Sequence, residues 1–512
     1  MKLKRIFVSL LSLGLLLSPI SIQADEIVAI ASDNSAYTSY KGAWAAAQSG
    51  LKVTMMEDWN LEDRLVVEEN QNVTIEMNGF KINRNLYDDE SYGGEVIYLS
   101  ENSTLTLTGN NYKDTQINFK GYNESTDYSD LTITSGGLVT GGYSKNGAGG
   151  IHMKSGSKLY LENVAVAGNS STLHNTNGGG ININNDDCQL HMTNAQICYN
   201  HSGYGAGIYV AGENEQIVMD ASSISNNYAT KDGGGIYSNK DATYITMTNG
   251  SSIKNNYAST DGGGIYFDNP YCQVRSPDKS AEISNNTALT NGGGVCYGQS
   301  SRGNTQIIEN VTFDSNIAHY KGGAIFALQE DLTFKDCTFT KNEATQGYGG
   351  AIYVDAKNVL IDGCTIQENV ASEAGGGVCV QNLKDVYISG KTIIENNIRT
   401  DESKDDVFLS KMWWTQSYVS GTPESGSRIG IRCDNERQVG IDQTEDNGSF
   451  FADEDGFKIT FKDGKLYKES GSVLGSIFGN ANLGAAVVVI VGITAIGVIA
   501  LIISKKKNHV EA

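Results

Sequence analysis

Proline is scarce in this 512-residue sequence, which has only 4 prolines against 59 glycines. Glycine without proline argues against a disordered linker and for regular, tight corners. Positive charge is also in short supply, because 38 lysines and arginines face 59 aspartates and glutamates, for a net charge of -21. Such a surface repels phosphate backbones, so nucleic acid is not an expected partner.

The two ends of the chain resemble targeting signals. Basic residues, an apolar run and a small-polar stretch give residues 1–24 the form of a secretory signal peptide. Residues 485–503 are uncharged and apolar, and three lysines follow within the tail, residues 504–512. A run of that length crosses a bilayer as a helix with the lysines on the cytoplasmic side. The sequence therefore predicts a single-pass cell-membrane protein whose N-terminal part is extracellular, on a bacterial surface.

A repeat of 26 to 30 residues fills the middle of the chain. An apolar residue follows a glycine cluster in nine copies, at Ile151, Ile181, Ile208, Ile236, Ile265, Val295, Ile325, Ile352 and Val378. An asparagine with an apolar residue three positions before it recurs at Asn169, Asn200, Asn227, Asn256, Asn286, Asn316, Asn342, Asn369 and Asn397. A period of this length is typical of solenoids, and glycine triplets with period-two alternation exclude helical repeats. We therefore expect an all-β parallel solenoid with three short strands per turn.

The repeated residue types suit two kinds of corner. Asparagines in one column can bond to each other from turn to turn as a ladder of amides. Glycines at the other corner provide positive φ angles and let two backbones approach closely, which a Cβ would obstruct. The sequence thus predicts both corners of each turn.

The ends of a solenoid need covers, because open edges invite aggregation. Tyr40 to Gly50 predicts a short N-terminal cap helix that places Trp44 over the first turn. The predicted organisation is an N-terminal cap and first turns over 25–80, parallel repeats over 81–400, a C-terminal β cap with Trp413 and Trp414 as plugs over 401–469, and a linker over 470–484.

Two copies of the repeat resemble a known family. FDSN with GGAI (Phe313 to Ile325) and FTKN with GGAI (Phe339 to Ile352) are similar to the paired FxxN and GGA[ILV] motifs of polymorphic outer membrane protein repeats. The resemblance covers roughly residues 145 to 400 and implies a right-handed parallel β-helix of the pectin-lyase type with a surface role, often adhesion. The apolar run followed by lysines departs from that family and looks more like β-helix surface proteins of Gram-positive bacteria, so the family's secretion mechanism does not carry over.

Catalysis on such a solenoid would need a set of converging carboxylates or bases. The candidates are Asp186, Asp187, Asp232, Asp261, Arg275 and Arg302, and they form no recognisable set. The histidines lie at different phases of the repeat, so we assign no catalytic residue and no metal ligand. The one cofactor that the sequence allows is weakly held Ca²⁺ between loop carboxylates, at no particular place.

An outward column of aromatic residues is the candidate binding site. Alternation along the strand after the glycines predicts that Tyr209, Tyr237, Tyr266, Phe326 and Tyr353 point away from the core. Such a stripe could pack against sugar rings or a partner loop. Alternatively, the rings stack on one another under the loops and only make the face rigid.

Eight cysteines in an exported protein raise the question of disulfides. Cys337 and Cys364 share one column on consecutive turns, where they could bond, or they could be small core residues.

Three functions fit these observations. The favoured hypothesis is a membrane-anchored surface protein that binds an extracellular glycan or a host surface protein without catalysis, as an adhesin does. The alternatives are an extracellular polysaccharide lyase or glycoside hydrolase, and a structural spacer.

Overall fold

The computed structural model describes residues 27–470, with gaps at 87–93, 118–130, 146, 172–176, 241, 269–270, 299–305, 329–330, 357, 382–384, 413–414, 434–437 and 441–447. The predicted signal peptide, the apolar run 485–503 and the tail lie outside the described residues, as do Trp413, Trp414 and residues 471–484 of the linker. Within the part that is described, no helix is both long and apolar enough to span a bilayer.

The chain between these ends forms a parallel β-solenoid of about 11 turns. Each regular turn has four strands, because a two-residue strand follows each ladder asparagine in addition to the three strands expected from the sequence. One turn runs through Ile236–Ser238, Thr243–Thr248, Ser252–Lys254 and Tyr257–Ala258. Each of these strands pairs in parallel with its equivalent in the next turn, which gives four ladders, here numbered I to IV in that order.

Ladders I and II hold the strands on either side of the loop that follows the glycine corner. Ladder I consists of Leu65–Val67, Ile97–Leu99, Ile151–Met153, Ile181–Ile183, Ile208–Val210, Ile236–Ser238, Ile265–Phe267, Val295–Tyr297, Ile325–Ala327, Ile352–Val354, Val378–Val380 and Val407–Leu409. Ladder II consists of Val53–Met55, Asn72–Glu76, Thr104–Thr108, Lys158–Glu162, Gln189–Thr193, Glu215–Asp220, Thr243–Thr248, Gln273–Arg275, Gln306–Glu309, Leu332–Lys335, Val359–Asp362, Asp385–Ser389, Tyr418–Ser420 and Gln438–Gly440.

Ladders III and IV flank the asparagine corner. Ladder III consists of Trp59–Asn60, Lys81–Asn83, Leu138–Thr140, Ala165–Ala167, Gln196–Cys198, Ser223–Ser225, Ser252–Lys254, Ala281–Ser284, Val311–Asp314, Thr338–Thr340, Thr365–Gln367, Ile393–Ile394, Arg428–Cys433 and Phe450–Ala452. Ladder IV consists of Tyr143–Ser144, Ser170–Ser171, His201–Ser202, Tyr228–Ala229, Tyr257–Ala258, Thr287–Ala288, Ile317–Ala318, Glu343–Ala344, Val370–Ala371 and Ile398–Arg399.

A few elements depart from the parallel pattern. Ala29–Ala31 pairs in antiparallel fashion with Ala36–Tyr37 and with Val53–Met55. Two antiparallel hairpins leave the solenoid, one of Lys113–Ile117 with Leu131–Ser135 and one of Lys411–Met412 with Thr415–Gln416. The strands Phe457–Lys462 and Lys465–Ser470 end the described chain, and the second of them pairs antiparallel with the last strand of ladder II.

The predicted helix is present as α1, Tyr40–Gln48. The hydroxyl of Ser39 accepts a hydrogen bond from the backbone N–H of Gly42 at 3.2 Å, which satisfies one of the free donors of the first turn. Trp44 is buried, and the helix packs on the first strands of ladder II.

The apolar columns face a common core. The column of ladder III that contains Ile224, Ile253, Ile283, Phe313 and Phe339 has no solvent exposure. The first residue of each ladder I strand is at most 3% exposed. Because a single turn cannot bury these side chains alone, the stacking of turns completes the core.

The asparagine corner forms the predicted ladder. From Asn169 to Asn369, each side-chain N–H₂ donates to the Oδ1 atom of the asparagine one turn on, at 2.8–3.2 Å, and Asn397 is the last acceptor of the series. The backbone N–H of each asparagine donates to the same Oδ1 atom, as Asn256 does to Asn286 at 3.0 Å. These side chains are at most 1% exposed, so the amides satisfy one another inside the solenoid.

The glycine corner also has the predicted geometry. Gly233 adopts a φ of 67°, in the left-handed region. A Cβ on the next residue, Gly234, would lie 2.4 Å from the carbonyl oxygen of Gly263 in the following turn. The corner therefore excludes side chains both because of the positive φ angle and because the backbones of neighbouring turns approach closely, as predicted from the sequence.

Parallel pairing extends beyond residue 400, into the segment assigned to a C-terminal cap. Val407–Leu409 pairs with Val378–Val380, and Arg428–Cys433 then pairs with both Val407–Leu409 of ladder I and Ile393–Ile394 of ladder III. Phe450–Ala452 adds one more parallel strand. The repeat motif stops near Asn397, but the solenoid backbone does not.

Candidate functional site

The outward column of ladder I lies outside the main core, yet solvent hardly reaches it. Tyr209, Tyr237 and Phe326 are 6–8% exposed and Tyr353 is fully buried, while Tyr266 is partly exposed. The direction of these side chains agrees with the alternation of the sequence, since Phe326 and Tyr353 belong to a separate apolar cluster. Their burial does not follow from alternation and has another cause.

The rings of this column stack on one another along the solenoid. The centroids of Tyr209 and Tyr237 are 5.4 Å apart, and those of Tyr237 and Tyr266 are 5.1 Å apart, with nearly parallel planes. Phe326 and Tyr353 form a second stack at 5.5 Å. Aromatic pairs at such distances add about 0.5–1.5 kcal/mol beyond the area that they bury.

Residues of the glycine corner cover the stack from outside. The ring of Tyr204 lies 5.0 Å from that of Tyr237, and the Lys321 ammonium lies 4.5 Å from the ring of Tyr353. Burial raises the pKa of Tyr209 to about 12 and that of Tyr237 further still. Of the two arrangements considered for these aromatic residues, the structure has the one in which the rings stack on one another under the loops and stiffen the face.

The buried tyrosine hydroxyls are held by polar side chains of the adjoining loop. The Nδ2 atom of Asn239 donates to the hydroxyl of Tyr209 at 2.7 Å. The hydroxyl of Tyr353 donates to Oε1 of Gln381 at 3.0 Å. These bonds connect the rings of Tyr209 and Tyr353 to the next turn and restrain them.

Two carboxylates of the glycine corner, Asp232 and Asp261, continue as a column into Asn291. Oδ1 of Asp232 accepts from the backbone N–H of Asp261 at 3.1 Å, and Oδ1 of Asp261 accepts from the backbone N–H of Asn291 at 2.8 Å. Burial raises the pKa of Asp232, and it raises that of Asp261 to about 6. These carboxylates connect one turn to the next.

The other catalytic candidates are not brought together. Asp186 and Asp187 lie in one of the loops between ladders I and II. Oδ1 of Asp186 accepts from the backbone N–H of Glu213 in the equivalent loop of the next turn. Arg275 faces Glu309 at 3.8 Å on ladder II. Arg302 is outside the described residues, within which no cluster of three or more metal-binding side chains occurs.

The cysteine pair is buried and is not joined by a disulfide in this structure. Cys337 and Cys364 are free thiols, and their Sγ atoms donate to the carbonyl oxygens of Ile308 and Phe334 at 3.4 and 3.3 Å. Burial, and next the neighbouring Cys337, raises the pKa of Cys364 well above the usual value for a thiol. Both residues therefore act as small core side chains in this structure.

Several buried carboxyl groups were not predicted from the sequence. Burial raises the pKa of Glu215 to about 9, although its Oε2 atom accepts from the backbone N–H of Cys188 at 3.0 Å. At the C-terminal end, Oδ1 of Asp406 accepts from Asn397, and the backbone N–H of Asp406 donates to Oδ2 of Asp453. Burial, and next the charge of Asp406, raises the pKa of Asp453.

A recess of about 280 Å³ interrupts the covered face beside Phe326. Its walls come from three successive glycine corners and include Asn291, Tyr320, Lys321 and Tyr348. Sequence reasoning missed it, although a signal was present. Ten residues separate Asn342 from the first ladder I residue of that turn, whereas both neighbouring turns have nine.

Comparison with known families agrees with the geometry. A model described as a right-handed beta helix region matches residues 276–409. A model described as the Chlamydia polymorphic membrane protein repeat matches residues 221–239. The chain has no match among curated proteins.

Proposed function

We propose that this chain, a right-handed β-helix with polymorphic-membrane-protein-type repeats, is a cell-surface protein. It binds an extracellular ligand without chemical turnover. The adhesin role and the single-pass anchor at residues 485–503 are part of this proposal. The ligand is a glycan or a host surface protein.

The observation that carries the proposal is the rigid face of ladder I with its glycine corners. Tyr209, Tyr237 and Tyr266 stack in a continuous column, and hydrogen bonds to the next turn hold the hydroxyl of Tyr209 and the carboxylate of Asp261. A surface with so little freedom loses little entropy when a ligand binds, and this supports affinity. Its corner carboxylates are engaged in bonds between turns, which suits a scaffold better than an acid–base pair.

One observation favours a second candidate, a glycoside hydrolase. Asp232 and Asp261 lie on consecutive turns, and burial raises the pKa of both. Glycoside hydrolysis uses two carboxyl groups, and the one that acts as the acid has a raised pKa. The hydrogen bonds that these carboxylates accept from the backbone oppose this role.

A binding screen and a turnover assay on the same preparation separate the candidates. The full chain, kept soluble with a non-ionic detergent, is applied to a glycan array and to immobilised matrix proteins. Reducing and unsaturated ends released from a panel of polysaccharides are measured in parallel. We expect binding without release. If sugar ends are released and the Asp261→Asn variant loses this activity, the protein is a hydrolase instead. If the chain shows neither binding nor release, it is a structural spacer.

A further inference from the structure

We propose that the recess beside Phe326 binds one pyranose residue that carries a carboxylate, such as a uronic or sialic acid at the end of a glycan. This inference rests on the proposed binding function and names the site and the ligand class for it.

The recess exists because one glycine corner is a residue longer than the corners of the two neighbouring turns. The extra residue is placed at Gly347, where a Cβ would lie 2.0 Å from the carbonyl oxygen of Tyr320. The backbone of Tyr348 nevertheless keeps its bond to Tyr320, at 2.8 Å. The corner therefore bulges while the ladders on both sides stay in register, and a recess opens beside Phe326, whose ring stays 6% exposed at its floor.

The size of the recess matches one sugar ring. Its volume of about 280 Å³ is just below the range of roughly 300–1,000 Å³ that is usual for small-molecule pockets. Such a space is about the size of a single ring, and a terminal residue of a glycan fills it without requiring the rest of the chain to enter.

The walls offer both kinds of contact that sugars use. Tyr320 is 48% exposed and Tyr348 is partly exposed, and both line the recess with Phe326. Aromatic rings pack against the C–H face of a pyranose, while a few converging polar groups fix its orientation. Gln346 provides an amide for the hydroxyl groups, and Asn291, whose Nδ2 atom already donates to Asp261 at 3.0 Å, provides its Oδ1 atom.

The charge of Lys321 selects an acidic ligand. Its ammonium lies 6.0 Å from the centroid of the Phe326 ring and 4.5 Å from that of Tyr353. In the part of the chain that the structure describes, Lys321 forms no ion pair. In a protein with a net charge of -21, a lysine held against aromatic rings without a carboxylate is complementary to a ligand that brings one. A charge-assisted bond of this kind is roughly twice as strong as a neutral one.

Matched sugar pairs test the inference directly. Binding of the full chain is titrated with sialyllactose against lactose, and with a glucuronic-acid-terminated disaccharide against its glucose-terminated counterpart. We expect at least one carboxylated sugar to bind about tenfold or more tightly than its neutral partner. Raising the salt concentration should reduce that preference.

Three variants locate the site. Lys321→Met keeps the aliphatic stem and should abolish the preference for the carboxylate. Tyr348→Ala should weaken binding of both members of a pair. Deletion of Gly347 restores the spacing of the neighbouring turns and should close the recess. Lys158→Met and Tyr387→Ala are the controls, since both residues lie on ladder II, and circular dichroism with thermal melting confirms that every variant is folded.

The outcomes distinguish this inference from the proposed function. If the chain binds sugars but the three variants bind as well as the controls, or if it binds only matrix proteins, the recess is not the site and the proposed function stands. If the chain binds neither sugars nor matrix proteins, both fail. A neutral sugar bound as tightly as its carboxylated partner would refute the role of Lys321.

Discussion

Replacement of a central ladder asparagine should be among the most damaging changes in this protein. The side chain of Asn286 takes part in four hydrogen bonds. Its Oδ1 atom accepts from the backbone and the side chain of Asn256, and its Nδ2 atom donates to Ile253 and Asn316, all at 2.9–3.0 Å. Asn286 is completely buried, so water cannot replace the partners that Asn286→Ala removes.

The size of the effect follows from these bonds. At about 1 kcal/mol for each buried hydrogen bond, Asn286→Ala should lower the free energy of unfolding by about 4 kcal/mol. That loss exceeds the usual range of about 0.5–3 kcal/mol for point mutations. Asn286→Asp should retain the two bonds that Oδ1 accepts but lose the two that Nδ2 donates, and it should recover stability at acidic pH, where the carboxyl group regains a donor.

Urea unfolding followed by far-ultraviolet circular dichroism measures the effect, and hydrogen exchange shows which turns open. Asn185→Ala is the matched control, because Asn185 is exposed and lies outside the ladder. If Asn286→Ala costs less than about 1 kcal/mol, or no more than the control, then the ladder does not hold the turns together as we reason.

Three further predictions concern the corner, the aromatic column and the thiols. Because burial raises the pKa of Asp261 to about 6, the folded state should lose stability as the pH rises from about 4 to about 6. Asp261→Asn should remove this pH dependence of the melting temperature, and a variant with the same pH profile as the original protein would contradict the prediction. Tyr237→Ala should destabilise the chain by about 3 kcal/mol in urea, since its ring lies within the stack; exposed Tyr244 is the control, and equal effects would argue against the stack. All eight cysteines are buried free thiols, so reduction should not change the intact mass, and alkylation should require denaturation; a mass increase of two hydrogens on reduction would reveal a disulfide.

The repeat made most of the fold predictable. Period-two alternation around Ile224 and Ile253 identified the inward columns, and the chemistry of Asn227 and Gly233 identified the corners. These features repeat in every turn, so each copy confirmed the others. The two-residue strand of ladder IV was missed because a strand so short has no alternation to read.

The candidate site was predicted less well. Alternation gave the direction of Tyr237 and Phe326 correctly but said nothing about the corner that covers them, since cover depends on how far a loop such as that at Tyr204 folds back. The recess depends on a single additional residue near Gly347, and the repeat pattern tolerates a change of one residue in the length of a corner. The raised pKa values of Glu215 and Asp453 were likewise not predictable, because they depend on burial and on neighbours that are distant in sequence.

The asparagine ladder has a direction. Every bond between two ladder side chains, from Asn169 to Asn397, runs from an N–H₂ group to the amide oxygen of the next turn, so the amide dipoles are aligned head to tail and their positive end lies at the last rung. An anion is favoured at the positive end of such an array, as it is at the N-terminus of a helix. Asp406 accepts the final bonds at 2.7 and 2.8 Å. The solenoid is therefore electrically polar along its axis, and its C-terminal rung is a carboxylate because that position requires an acceptor.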